Sequence, residues 1–140
     1  MHSSTPILLA CFAMVLLVLA VGVRMFVVRV GEFKAKRIRP QDAATSLQVA
    51  QKLQAVQASD NFRNLFEVPV LFYVWCALVI ATQQANLYFA VGAWAFVVLR
   101  VGHSFIQCTY NKVMHRFACF STSSLILLLL WCALAIGSVQ

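Results

Sequence analysis

Two groups of polar side chains recur at helical spacing inside otherwise apolar sequence. Asp60, Asn64 and Glu67 are four and three residues apart, so at about 100° per residue they fall within a ~60° sector of one helix. Arg63 precedes Glu67 by four residues, a spacing that permits an ion pair on a helix surface. Arg100, His103, Gln107 and Asn111 repeat the pattern further along, and Arg116 follows them. In water such groups would be ordinary. Between hydrophobic runs they are not, because an ionised side chain at the centre of a membrane helix costs about 2.5–3.5 kcal/mol and normally faces a cavity or a partner. The bland reading is that these groups pair with one another and lock helices together. Two striped faces with Arg116 beside them favour a binding site, and the excess of cations over carboxylates points to an anionic ligand.

Other chemistries are poorly represented. The chain has no Gly-rich phosphate loop, no paired-His metal spacing and no Ser/His/Asp nucleophile pattern. Five cysteines (Cys11, Cys76, Cys108, Cys119 and Cys132) are odd in number and lack CxxC spacing, which suits packing as small hydrophobes. Cys108, near a helix end, is the one placed for reactivity. Tyr73, Trp75, Tyr88, Trp94 and Trp131 read as packing residues or interface anchors.

The elements that must carry the polar groups are membrane helices. Of the 140 residues, 62% are hydrophobic and 11% charged, against about 25% charged in soluble domains. Ile7 to Val28 is apolar except for Arg24 and is long enough to cross a bilayer. It starts without a positive leader segment and runs too long for a cleaved signal. Asp42 to Asp60 contains no Gly or Pro and spaces Leu47, Ala50, Leu53 and Val56 helically. This predicts an amphipathic helix entered at Pro40 that runs straight into a second span, kinked at Pro69. The expectation is therefore an all-α membrane protein, one domain over residues 1–140. Its spans are placed at about 7–28, 62–81, 87–106 and 117–139, with a basic loop and helix extension at 29–61.

Charge sets the orientation. Net charge is +7, and seven of the eleven Lys and Arg lie between Arg29 and Arg63. The first and third connections are basic, whereas the second connection and both termini carry no Lys or Arg. The positive-inside rule places both termini on the non-cytoplasmic side. The polar stripes then converge at the cytoplasmic edge of the bilayer. The basic first loop reads as a topology determinant and a contact for membrane lipid rather than for nucleic acid.

These residues resemble a known family. Asn64-Leu65-Phe66-Glu67 followed by Pro69 is similar to the Asn-x-x-Glu…Pro signature of the MAPEG family, the membrane-associated proteins in eicosanoid and glutathione metabolism. Arg100-Val101-Gly102-His103 resembles the family's Arg-x-x-His, and Pro40-Gln41-Asp42 its Pro-x-Asp. Arg116, sixteen residues after Arg100, stands where members place the arginine that faces the glutathione thiol. The resemblance extends over almost the whole chain and looks like that of a bacterial-type member, in a bacterial inner membrane or its equivalent.

The resemblance implies a homotrimer of four-helix subunits that binds glutathione between neighbours. It implies a glutathione-dependent transferase or peroxidase acting on hydrophobic electrophiles. Arg29 and Arg63 would meet carboxylates, Asn64 and His103 would hydrogen-bond the peptide, and Glu67 would take the ammonium or orient Arg63. Arg100 and Gln107 complete the cofactor-binding set, with Arg24 an alternative to Arg29. Arg116 would be the catalytic residue, because a nearby cation stabilises a thiolate. The chain departs from the family at Asp60, where members have arginine, at Gln107, where many have tyrosine, and at Phe117, where one branch has serine. Two other readings stand beside this one. The departures suit a non-catalytic, lipid-binding member, and an intramembrane Glu67 suits a small proton-coupled exporter.

Overall fold

The computed structural model describes residues 4–138, apart from the side chains of Pro40, Ser46 and Ala50. Helix α1 spans Thr5–Ala35 with a proline in its first turn. Its 31 residues reach about 46 Å at 1.5 Å each, so roughly the last ten project beyond a hydrocarbon core of about 30 Å. The apolar run predicts an end at Val28; the helix continues to Ala35. Glu32 and Lys36, one turn apart at 3.0 Å, support the extension. The terminus closes when the N–H groups of Arg37 and Ile38 donate to the carbonyls of Lys34 and Phe33. This is a Schellman closure with Arg37 at φ 51, where glycine is the usual residue. Without a glycine, the sequence carries no mark of the end.

The single helix expected from Asp42 into the second span instead starts only at Ser46 and is then broken twice. A 3₁₀ turn at Pro40–Ala43 precedes α2 (Ser46–Lys52), α3 (Gln57–Asn64) and α4 (Val68–Ala81). Thr45 and Gln48 form a capping box that starts α2. Leu53 then turns extended and is buried. The Glu32 carboxylate accepts the N–H groups of Gln54 and Ala55 at 3.1 and 3.2 Å, and Lys36 Nζ donates to the Lys52 carbonyl at 3.1 Å. Two side chains projecting from α1 thus satisfy backbone groups that a helix break releases. Helical periodicity within residues 42–60 does not show that competition.

The second break replaces the expected kink. Pro69 offers no N–H to the Leu65 carbonyl, and its ring would crowd that carbonyl in a continuous helix. Helix α3 therefore stops at Asn64, and Pro69 falls in the first turn of α4. Glu67 lies between the two helices, so it does not share a helix face with Asp60 and Asn64.

Helix α5 (Leu87–Cys108) starts where the Asn86 side chain accepts the Phe89 N–H at 2.9 Å. Helix α6 (Val113–Gly137) begins before the expected Phe117, which brings Arg116 into its first turn. The expected end of that span, Val139, lies outside the described residues. Four helical stretches are long and apolar enough to cross a membrane: Thr5–Ala35, Gln57–Ala81, Leu87–Cys108 and Val113–Gly137. Gln84 Nε2 donates to Ser138 Oγ at 2.8 Å, tying the uncharged connection to the C-terminal end. At the opposite end Arg24 donates to the Cys108 carbonyl and Arg29 to Ser59 Oγ. The two basic connections therefore share one end of the bundle.

Aromatic rings fill the centre. Phe72 stacks on Phe96 at 4.5 Å, and Trp75 meets Phe89 edge-on at 5.3 Å. Trp75 is fully buried and donates Nε1–H to the Leu130 carbonyl at 3.0 Å, so it is a packing residue, whereas Tyr88 stays exposed. Helices α5 and α6 pack most closely. A Cβ at Gly92 would stand 2.6 Å from Leu130 Cδ2, while one at Gly31 would meet nothing within 4 Å. Overpacking typically costs about 1–3 kcal/mol. Gly92→Val is accordingly expected to lower the thermal midpoint of the detergent-purified protein by several degrees, and Gly31→Ala to leave it unchanged or raised. Equal midpoints for the two variants would contradict close α5–α6 packing at Gly92.

Candidate functional site

The last turn of α3, the lower half of α5 and the first turn of α6 meet at the basic end of the bundle. Asn64 Nδ2 donates to Gln107 Oε1 at 3.3 Å. His103 Nε2 lies 3.0 Å from the same oxygen, and His103 Nδ1 lies 3.0 Å from the Arg116 carbonyl. Both ring nitrogens thus face oxygens, whereas a neutral imidazole has one N–H. Either the ring is an imidazolium, or Nδ1–H donates to Arg116 and the Gln107 amide turns to present its NH2 to Nε2. The protonation state of His103 and the orientation of Gln107 are therefore linked.

Arg116 is half-buried, and its Nη1 donates to Asn111 Oδ1 at 3.0 Å. Asn111 adopts φ 48, a conformation asparagine tolerates better than most residues. Lys112, the N-cap of α6, makes no side-chain capping bond. The first-turn N–H groups and the Arg116 guanidinium then present positive charge together, as helix N-termini do toward anions. Asn64, His103, Arg116, Val113, Phe117 and Phe120 line a cleft of about 190 Å³ there.

Arg100 lies behind this cleft and is fully buried. Its Nη2 donates to the Asn64 carbonyl at 2.9 Å, one of the groups released by the α3–α4 break. Its guanidinium sits 5.4 Å over the Phe120 ring, and the Glu67 carboxylate acts on it electrostatically. Among the described residues, Nε and Nη1 have no hydrogen-bond partner. A buried donor left unsatisfied costs about 1–3 kcal/mol, more when charged, so this guanidinium has capacity for another acceptor.

The other expected site residues lie elsewhere. Arg29, Asp60 and Arg63 line a second cleft of about 600 Å³, between the α1 extension, the start of α2 and α3. Arg29 Nη2 donates to Ser59 Oγ at 3.2 Å. Arg24, bound to the Cys108 carbonyl, is engaged at the end of α5. The single cation-rich pocket expected from the stripes is therefore two clefts within the chain. Nor does Arg63 pair with Glu67: among the described residues the ion pairs are Glu32–Lys36 and Arg39–Asp42. The physical reason is the break at Leu65–Glu67, which removes the helical register that spacing assumes.

Three further residues shape the site. Asn61 is fully buried; it donates to Cys108 Sγ at 3.4 Å and accepts from Ser104 Oγ at 3.2 Å. This bond pair fixes α3 against α5 one turn from Asn64. Phe120 contacts the Arg100 guanidinium and the His103 ring, the latter at 5.9 Å. Ser104 directly follows His103, and Phe120 stands four residues after Arg116. Extending each stripe by its immediate and i+4 neighbours would have found both.

A model of the MAPEG family matches residues 7–136. The chain belongs to the MAPEG family. No curated protein and no solved structure matched it. The match contains every residue of both clefts, and MAPEG proteins are membrane-associated, in agreement with the four apolar helices. In this MAPEG protein the departure at Gln107 has a definite structural consequence: the amide joins Asn64 to His103. The departure at Asp60 places a carboxylate on the wall of the larger cleft, which Arg29 and Arg63 also line.

Proposed function

We propose that this MAPEG protein is a membrane-bound glutathione-dependent transferase or peroxidase that acts on hydrophobic electrophiles. The observation that carries the reading is the placement of Arg116, half-buried in the first turn of α6 on the wall of a cleft shared with Asn64 and His103. A guanidinium beside an uncapped helix N-terminus favours an anion twice over. A thiol bound there loses its proton more readily, and the thiolate is the nucleophile. Glutathione is anionic overall, with two carboxylates, one ammonium and one thiol. The unsatisfied donors of Arg100 and the arginines of the larger cleft complement its carboxylates. Because the two clefts are separate in one protomer, a homotrimer in which neighbours contribute different walls would accommodate one extended ligand. The exposed apolar side chains of α1, such as Leu8, Phe12, Leu19 and Phe26, suit contact with lipid or a neighbouring subunit. An electrophile dissolved in the bilayer would approach past Phe117 and Val113, both exposed.

Adding glutathione to the detergent-purified protein is expected to produce the ultraviolet band of a thiolate, and Arg116→Ala to abolish it at neutral pH. A band of equal size in the variant would remove Arg116 from the thiolate role. The non-catalytic reading draws on Gln107, whose amide is held by Asn64 and His103 where a phenol would offer a donor. Lipid binding without conjugation of any of several electrophiles would favour it. Family membership leaves the exporter reading without support.

A further inference from the structure

The larger cleft has a charge pattern that a simple anion site would not have. Two guanidiniums, Arg29 and Arg63, share its lining with one carboxylate, Asp60. Asp60 and Arg63 are both exposed and one helical turn apart on α3. Yet neither makes an ion pair among the described residues, so the opposite charges are presented to the cleft rather than neutralised by each other. Arg29 is oriented by its bond to Ser59 Oγ, the residue before Asp60. The rest of the wall is small or apolar, including Ala43, Leu47 and Val56. A cleft of about 600 Å³ lies within the usual size range of small-molecule sites, about 300–1,000 Å³.

A ligand bearing only negative groups would be attracted by the arginines and repelled by Asp60. One carrying an ammonium beside a carboxylate satisfies all three side chains at once. We infer that this cleft binds the zwitterionic, α-amino-acid end of its ligand, with Asp60 accepting the ammonium and Arg29 and Arg63 donating to carboxylate. On the proposed function, upon which this inference rests, that end is the γ-glutamyl group of glutathione. Asp60 is then a specificity-determining residue that selects thiols with a free ammonium, and not merely a lost cation. A charge-assisted hydrogen bond of this kind is among the stronger polar contacts, and its loss is expected to cost about tenfold or more in affinity.

The test compares glutathione with its des-amino analogue, glutaryl-cysteinyl-glycine, by calorimetry on the detergent-purified full chain. Wild type is expected to bind the analogue roughly tenfold more weakly than glutathione. Asp60→Asn should weaken glutathione to the level of the analogue, bringing the ratio near one. Arg63→Gln should weaken both ligands while keeping the ratio. Asp60 is exposed, so the isosteric variant is expected to fold; unchanged helicity and elution volume check this. If Asp60→Asn binds glutathione more tightly, or keeps the wild-type ratio, the assignment of Asp60 is overturned while the glutathione reading stands. If wild type binds neither ligand, the glutathione reading itself is overturned, and this inference with it.

Discussion

Arg116→Ala is expected to lower the thiolate fraction of bound glutathione about 25-fold at neutral pH, but the rate of conjugation only about threefold. A free thiol has a pKa of about 8.5, and an adjacent guanidinium lowers such a value by roughly two units. At neutral pH the thiolate fraction then rises from about 3% to about 75%. A less basic thiolate is also a poorer nucleophile, with a Brønsted coefficient of about 0.45, which returns roughly eightfold of that gain. The sign therefore changes with pH. Below neutrality the variant should fall about tenfold behind wild type, and above about pH 7.6 it should overtake it. Arg116→Lys should keep much of the wild-type profile. Steady-state rates across pH with a fixed electrophile check this. A loss of the same size at every pH would mean that Arg116 holds glutathione or the transition state and does not act on the thiol's ionisation. The Arg116 main-chain carbonyl, which contacts His103, is unaffected by the substitution, so the His103 contact should survive in both variants.

Arg100→Met is expected to raise the thermal midpoint of the ligand-free protein and to abolish the further rise on adding glutathione. The wild-type guanidinium is fully buried with Nε and Nη1 unsatisfied among the described residues. Replacing a buried ion pair by apolar side chains of similar volume is often neutral or stabilising by about 1–4 kcal/mol. Arg100→Met leaves no ion-pair partner behind, since Arg100 makes no salt bridge among the described residues. Against this stands the lost bond to the Asn64 carbonyl, worth about 1–3 kcal/mol when its partner is left buried and unpaired. The Glu67 carboxylate, which acts on Arg100, is exposed and can turn to water. The balance favours a gain of a few degrees in the absence of ligand. A lower midpoint for Arg100→Met would show instead that Asn64, Phe120 and Glu67 already satisfy the cation, and that its role is to hold α3, α5 and α6 together. The two outcomes separate a residue kept for a ligand from one kept for the fold.

The parts of the molecule differ in how far they could be read from sequence. Helices α4, α5 and α6 follow from apolar runs bounded by Pro69, Asn86 and the Lys112 turn, because a backbone in hydrocarbon must satisfy its own hydrogen bonds. The pairing of Gln107 with Asn64 and His103 follows from stripes that stay in register on α5. Asp42 to Asp60 misled. Its Gln-rich helical spacing is real, but Glu32 and Lys36 offer the backbone other partners at Gln54, Ala55 and Lys52. Those partners arrive from α1, more than fifteen residues away in sequence, and periodicity carries no information about them.

The polar residues themselves mark the same boundary. Their types, their excess of positive charge and their location at the basic end of the bundle were determined by the sequence alone, since charge cannot be left in hydrocarbon and the apolar runs leave few other places for it. Which of them act together was decided by tertiary structure. Asp60, Asn64 and Glu67 were a single stripe only while their helix was continuous. The break before Pro69 removes Glu67 from that stripe and leaves the Asn64 carbonyl to Arg100. Packing on different neighbours puts Asp60 with Arg29 and Arg63 in one cleft and Asn64 with His103 and Arg116 in another. The physical reason for the break is a missing N–H at Pro69: once the helix cannot bond through it, Arg100 from α5 takes the Asn64 carbonyl, and Glu67 no longer shares a register with Asp60 and Asn64.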